Sequence, residues 1–273
     1  MVFYNLQDQI IHFEIDPAEV DKNVKVDIAV IGDVKQTLKE ILPHVNKSSH
    51  NSWVRKFREL NKIEFDKVID KEYNKQSGGL SMAEVIKSIN ENTDGNSILV
   101  TDVGQHQMIA CRYMNFNKSK SNITSGGLGT MGFALPAALG AKIGDPRREV
   151  IAVIGDGGFQ MTIQELGTIF QTSSSVKIVI LNNEYLGMVR QWQQLFFDKR
   201  YASTEMTNPD FVTISKGYFI ESKRVSHRKE LNSSIKQMLS HDGPYLLEVC
   251  VEKEENVFPM IPSGSSVSDI RLE

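Results

Sequence analysis

Apolar and polar residues fall along the chain in blocks whose character changes near residue 80. Before that point, residues 9–15 (QIIHFEI) and 27–31 (DIAVI) predict short strands joined through a turn at Asp16-Pro17, and residues 34–42 predict a helix. Two strands and a helix cannot bury a core by themselves. Residues 46–79 are rich in Lys, Glu, Asp and Asn, with Trp53, Phe57, Leu60 and Phe65 at roughly helical spacing and Ser77-Gly78-Gly79 at the end. This pattern predicts a solvated helical linker closed by a flexible joint.

Beyond residue 80 the pattern becomes rhythmic. Ser81, with Glu84 three residues on, reads as the cap of an amphipathic helix running to Ile89. There follow a strand at 97–101 (SILVT), a helix after Gln105, a helix at 133–142, a strand at 149–154, a helix at 163–171 and a strand at 176–181. A helix at 211–216, a strand at 221–225, a helix at 230–239 and a strand at 245–251 complete the series, before a polar tail from Lys253. Alternating strands and helices predict an α/β domain with an open parallel sheet. The runs VIAVI and VKIVIL are almost continuously apolar, as strands covered by helices on both faces must be.

Composition narrows the class without naming a function. The 273 residues are 40% hydrophobic and 24% charged, with 31 basic against 34 acidic side chains and a formal charge of −3. Such a balance exerts no general pull on nucleic acid or on an anionic membrane, so neither is an expected partner. Cys111 and Cys250 show no paired spacing and are expected to be buried reduced thiols. No apolar run approaches the roughly 20 residues of a membrane helix, and MVFYNLQDQI lacks a basic region followed by an apolar one. A cytoplasmic protein is expected.

Glycine carries the first chemical signal, because 15 of the 19 glycines lie between Gly78 and Gly187, many at the ends of apolar runs. Gly127 to Gly132 (GLGTMG) matches the dinucleotide pattern, but a polar stretch at 117–125 precedes it and no acidic residue follows about 20 positions later. A nicotinamide or flavin Rossmann site is therefore not the expectation. Gly155-Asp156-Gly157 directly ends the strand VIAVI, and Asn182-Asn183 directly ends VKIVIL, with one helix between. Parallel strands joined in this way finish on the same edge of the sheet, where open α/β sheets hold ligands. One carboxylate, one amide oxygen and a carbonyl suit Mg²⁺ that keeps water and also binds phosphate. Taken singly, Asp156 reads rather as a helix cap and the Asn pair as a turn; together, on adjacent strand ends, they favour the ligand reading.

A GDG followed about 24 residues later by NN, each after an apolar strand, resembles the thiamin diphosphate and Mg²⁺ motif of thiamin-dependent enzymes. The segments TDVGQHQM (101–108), SGGLGTMGFALPAALGAK (125–142), GDGGFQMTIQEL (155–166), NNEYLGMVRQWQ (182–193) and VFPMIPSG (257–264) resemble the carboxyl-terminal part of the acetolactate synthase catalytic subunit. QIIHFEIDPAEVDKNV is similar to the end of that family's central domain, so the resemblance spans essentially the whole chain. It implies four segments: a remnant of a central α/β domain at 1–45, a helical linker at 46–79, a thiamin diphosphate-binding domain at 80–252 and a tail at 253–273.

The resemblance also implies roles. Asp156 and Asn183 would bind Mg²⁺ by side chain and Tyr185 by its backbone carbonyl. Val103, Gly104, Gln105 and His106 would lie along the cofactor with Gly129, Gly155, Gly157 and Gly158. Met131 would prop the cofactor in a bent shape, and Gly187, Met188 and Val189 would line its ring side. Trp192 would favour 2-ketobutyrate over pyruvate as acceptor. Glu14 and Asp33 are candidate FAD contacts. The implied reaction joins pyruvate, with loss of CO₂, to a second 2-ketoacid in branched-chain amino acid biosynthesis. On residue type alone, Met131 and Met188 read as core methionines and Trp192 as part of an amphipathic helix.

Two departures qualify the resemblance. Ile109 stands where the family often has Trp after GQHQM, a local packing change. The family's catalytic glutamate belongs to an amino-terminal pyrimidine-binding domain, so no catalytic residue is expected in this chain and a complementing chain or homo-oligomer is. A regulatory subunit is a further candidate partner. The alternatives are a non-catalytic remnant or dimerisation module of the same fold, and another thiamin-dependent 2-ketoacid decarboxylase or carboligase, against which LGMVRQW argues.

Overall fold

A computed structural model describes residues 9–75, 77–266 and 268–273. Residues 1–8, 76 and 267, which belong to the expected first, linker and tail segments, lie outside the described residues. The chain forms two compact units, one ending at Glu64 and including Pro259–Leu272, the other running Phe65–Phe258.

The smaller unit contains the strands β1 (Ile11–Glu14) and β2 (Ile28–Ile31) and the helices α1 (Val34–Ile41) and α2 (Asn51–Glu64). The two strands pair in parallel, Ile11 opposite Ile28 and Glu14 opposite Ile31. Asp16 caps the turn between them by accepting the Ala18 N–H at 2.9 Å. Asp33 caps α1 by accepting the N–H groups of Lys35 and Gln36. None of these four elements buries a residue fully; Ile28, Trp53 and Leu60 are each half exposed or more.

The larger unit opens with a wide helical turn at Phe65–Ile69 and the short α3 (Asp70–Tyr73), then α4 (Met82–Thr93), β3 (Ile98–Thr101) and α5 (Gln105–Tyr113). It continues with β4 (Asn122–Thr124), α6 (Ala134–Gly144), β5 (Val150–Gly155), α7 (Asp156–Met161), α8 (Glu165–Thr172) and β6 (Val176–Asn182). The helices α9 (Gly187–Phe196) and α10 (Phe211–Gly217), strand β7 (Glu221–Val225), helix α11 (Arg228–Ser240) and strand β8 (Tyr245–Cys250) complete it. Six strands form one parallel sheet in the order β4-β3-β5-β6-β8-β7, as the α/β pattern predicts.

Strand alternation sends successive residues to two cores, one on each face. On one face Leu99, Ile151, Val153, Val179, Leu181 and Leu247 pack with Val85, Ile86 and Ile89 of α4, Ile109 and Ala110 of α5, and Ile235 and Met238 of α11. On the other, Val100, Ala152, Ile154, Ile178 and Ile180 pack with Leu135 and Ala138 of α6, Phe159 of α7, Leu166 and Ile169 of α8, and Phe211 of α10. The capping box that starts α4 is formed: the Ser81 hydroxyl accepts the Glu84 N–H at 3.0 Å and the Glu84 carboxylate accepts the Ser81 N–H at 2.8 Å.

Several boundaries fall elsewhere than the pattern predicts. The expected linker divides at Glu64, because Val68 is buried and Ile69 and Tyr73 pack against the core shared by α4 and α5. The expected tail joins the larger unit as far as Phe258, with Val257 buried, because side chains of α5 and α9 hydrogen-bond its backbone. A strand does precede the GLGTMG glycines: β4 is only three residues long and on the sheet edge, so its NIT, one apolar residue between two polar ones, shows no apolar run. Cys111 and Cys250 are free but half-buried rather than buried.

Candidate functional site

The strands β3, β5 and β6 are parallel neighbours, so their carboxyl ends deliver Asp102-Val103-Gly104, Gly155-Asp156-Gly157 and Asn182-Asn183 to one edge. A cavity of about 250 Å³ opens there. Its wall contains Val103, Gly104, Gln105, His106, Met131, Gly155, Asp156, Gly157, Gly158, Asn183, Tyr185, Gly187, Met188 and Val189, together with Met82, Leu181 and Leu186. Every thiamin diphosphate residue expected from the sequence thus lies on one surface except Gly129, which sits in a left-handed turn (φ 64°) and is not part of this wall. Met131 and Met188 face this cavity rather than either core.

Close packing at the cavity floor requires glycine. A Cβ on Gly158 would run into the carboxylate of Asp102, and one on Gly187 would run into the side-chain oxygen of Gln105. Asp102 is wholly buried; it accepts a hydrogen bond from the Gly132 N–H at 2.9 Å and is paired with His106 Nε2. His106 is thereby held with its ring against Gly104 and Gly155. Gln105 is fixed as well, donating to the Gln191 side chain at 2.8 Å and to the Glu255 carbonyl at 2.9 Å.

The two asparagines separate in role. Asn182 turns away, donating to Glu248 at 2.8 Å, whereas Asn183 lies on the cavity wall with its Oδ1 accepting the Tyr185 N–H at 3.2 Å. Asp156 begins α7 and is almost entirely buried. Burial raises its carboxyl above the usual range, against the opposing hydrogen bonds from Asn208 and from its neighbour Gly157. Its oxygens accept the Asn208 amide at 2.7 Å and the Gly157 N–H at 3.1 Å, both neutral donors. A buried carboxylate held only by neutral groups is a site that a cation would complete. Among the described residues no three His, Cys, Asp or Glu side chains gather around a point. A cation at Asp156 would therefore draw its other oxygens from amide, backbone and phosphate, a donor set that fits Mg²⁺.

Three residues of interest lie elsewhere. Trp192 sits on α9, two-fifths exposed, with its ring 4.9 Å from that of Phe196, outside the cavity wall. Glu14 and Asp33 belong to the smaller unit, where Glu14 accepts the Ile15 N–H at 2.8 Å and Asp33 caps α1. Sequence reasoning gave no role to Asp102, Asn208, Met82, Leu181 or Leu186. Asp102 was within reach, an acid directly ending an apolar strand like Asp156; the other four carry no local signal.

An open parallel sheet with glycines, one carboxylate, one amide and the start of α5 around a cavity at its carboxyl edge has the architecture of a diphosphate-cofactor domain. Residues 102–249 match the family described as thiamine pyrophosphate enzyme, C-terminal TPP binding domain, and residues 2–41 match thiamine pyrophosphate enzyme, central domain. The chain belongs to the thiamine pyrophosphate enzymes and carries their TPP-binding domain. It is 37% identical over 262 residues to acetolactate synthase isozyme 2 large subunit of Escherichia coli, a match covering 96% of this chain and 46% of that one. It is 41% identical over 271 residues to the acetolactate synthase large subunit of Cyanidium caldarium, covering 96% and 45%, and 40% identical over 259 residues to that of Lactococcus lactis, covering 93% and 44%. The chain spans about half the length of the curated relatives it matches. Other relatives are named chloroplastic, in Oryza sativa, and mitochondrial, in Aspergillus candidus. No helix among the described residues is long and apolar enough to cross a membrane.

Proposed function

We propose that this chain is the thiamin diphosphate- and Mg²⁺-binding half of an acetolactate synthase large subunit, which joins pyruvate to a second pyruvate or to 2-ketobutyrate. The observation that carries this reading is the meeting of Asp156 and Asn183, from adjacent strand ends, in one cavity with the loop at 104–106. In this reading Asp156, Asn183 and the Tyr185 carbonyl hold Mg²⁺. No backbone N–H among the described residues pairs with that carbonyl, because the bonds on either side run from Leu186 to Thr204 and from Met206 to Glu184.

When bound, thiamin diphosphate supplies a nucleophilic carbon and an electron sink for decarboxylation. The chain's part is to bind, orient and keep dry. Gly104 and the first N–H groups of α5 would meet phosphate charge at a helix start, with Gly157 and Gly158 on the wall of the same cavity. Met82, Val103, Met131, Leu181, Leu186, Met188 and Val189 give the cavity an apolar wall that excludes water from the reacting end. Trp192 stands four residues beyond Met188 and hence on the same side of α9, which suits contact with the side chain of the acceptor ketoacid.

In this reading the catalytic glutamate belongs to the family's pyrimidine-binding domain, outside residues 1–273. Purified alone, the chain should form negligible acetolactate. Co-expressed with the amino-terminal half of a relative and given thiamin diphosphate and Mg²⁺, it should form acetolactate, detected colorimetrically. A folded, cofactor-loaded complex without that product defeats the reading. Asp156→Ala should abolish Mg²⁺-dependent cofactor binding in calorimetry; unchanged binding would remove the metal assignment. For FAD we propose only that Glu14 and Asp33, each with one oxygen accepting backbone N–H groups, offer the other to a flavin hydroxyl. Flavin absorbance retained after Asp33→Ala would exclude that contact. Cell fractionation tests the cytoplasmic compartment.

A further inference from the structure

The segment at 204–208 reaches the carboxyl edge of the sheet from outside every motif so far discussed. Its backbone pairs antiparallel with the loop after β6, Leu186 N–H to the Thr204 carbonyl at 2.8 Å and Met206 N–H to the Glu184 carbonyl at 2.9 Å. Its Met206 side chain stands with Leu186 over Gly157, close enough that a Cβ there would lie 3.1 Å from the Met206 sulfur. Asn208 then enters between the two strand ends.

All of the polar capacity of Asn208 needed to set its orientation is in use. The Nδ2 group donates one hydrogen bond to Asp156 Oδ2 at 2.7 Å and another to Asn182 Oδ1 at 3.0 Å. The Oδ1 atom accepts from Gln160 Nε2 at 2.9 Å. Gln160 belongs to α7, the helix that Asp156 begins. A flipped amide would set its oxygen against two acceptors and its nitrogen against a donor, so the network admits one orientation. Asn208 thus ties the end of β5 to the end of β6 and occupies one lone pair of the Asp156 carboxylate. Because the donor is neutral, the carboxylate is aimed without being neutralised. A lysine or arginine at this place would compete with a cation for the same oxygen.

We propose that Asn208 is a positioning residue for the cation site, setting the orientation of the Asp156 carboxylate and its spacing from the Asn182-Asn183 turn. The inference rests on the reading of Asp156 and Asn183 as Mg²⁺ ligands. It assigns the strap at 204–208 a task in cofactor loading: backbone pairing orients the loop that carries Tyr185, and Asn208 orients the Asp156 carboxylate on the wall of the same cavity.

The test uses the full chain with thiamin diphosphate and Mn²⁺ as spectroscopic probe, followed by electron paramagnetic resonance. Asn208→Ala should weaken Mn²⁺ binding about tenfold, in the range found when partners of metal ligands are removed. It should also alter the saturated Mn²⁺ spectrum while leaving the melting temperature of the metal-free chain within about 2 °C, a shift that corresponds to under ~1 kcal/mol. Gln160→Ala keeps Asn208 but frees its amide, and should weaken Mn²⁺ about threefold, the worth of one hydrogen bond. It serves as the measurement should Asn208→Ala fail to fold. Asn208→Ala with wild-type Mn²⁺ affinity overturns the inference. So does a loss of affinity that follows melting temperature with the saturated spectrum unchanged. If the wild-type chain binds no Mn²⁺, or Asp156→Ala binds it as well as wild type, the metal reading itself fails and this inference with it.

Discussion

Strands β2 and β6 are both composed mainly of isoleucine, valine and leucine or alanine, yet Ile28 of β2 is 51% exposed and Ile178 of β6 is fully buried. The difference lies in what surrounds them. Strand β6 has hydrogen-bonded neighbours on both sides and a helical layer on each face, whereas among the described residues β2 pairs only with β1. The helices show the same contrast. On α4, Val85, Ile86 and Ile89 are wholly buried, while Trp53 and Phe57 of α2 keep about half of their surface in water and touch each other at 4.4 Å. An apolar pattern therefore selects the kind of element through the period of its side chains. Burial requires a second layer that the pattern does not itself provide.

The largest test of this contrast is a cavity in each unit. Ile180→Ala in β6 should cost about 2–5 kcal/mol in chemical denaturation, because a buried methyl cluster loses both transfer and packing energy. Ile28→Ala in β2 should cost under about 1 kcal/mol. Equal losses would erase the distinction between the two regions. Gly158→Val, forced against Asp102, should destabilise the larger unit by about 1–3 kcal/mol through overpacking, and it should reduce thiamin diphosphate affinity in calorimetry as His106 is displaced.

A smaller effect depends on pH. Burial pushes the Glu72 carboxyl up to about 7 against the hydrogen bond that Tyr113 donates, with the Glu255 carboxylate adding to the rise. Between the ordinary carboxylate value of 4.5 and about 7 the folded chain keeps a proton that the unfolded chain has lost, so stability falls as pH climbs through this window. Glu72→Gln should remove that slope and stabilise the larger unit at pH 8 by about 1–2 kcal/mol, with no gain at pH 4. A gain of equal size at both values would show that titration is not the cause. The smallest effect is expected in α2, where Trp53→Ser should change stability by under about 0.5 kcal/mol. A loss comparable to that of Ile180→Ala would show that the stripe on α2 is covered.

Much of the fold is legible from periodicity. The strands of SILVT, VIAVI and VKIVIL and the capped helix after Ser81 form where the pattern predicts, because continuous apolar runs and a Ser-x-x-Glu cap are local signals. Strand β4 was hidden because a three-residue edge strand with one apolar side chain, Ile123, between two polar ones is too short to leave a pattern. The expected tail misled in the opposite direction: its backbone serves the larger unit through Gln105, Arg190 and Gln191, and backbone atoms leave no trace in side-chain type.

The site divides in the same way. Glycines at strand ends and the Asp156 and Asn183 positions follow from sequence, since the order of strands and helices forces parallel neighbours to end together. Which of the two asparagines faces the cavity, why Gly158 admits no side chain, and that Asn208 reaches Asp156 across 52 residues emerge only when the chain is folded. The sequence by itself determined the element types, the parallel sheet and the edge on which the chemistry gathers, because these depend on side-chain period and connectivity. The tertiary structure decided the orientation of each side chain at the cavity and the boundary between the two units, because these depend on contacts between residues far apart in the chain.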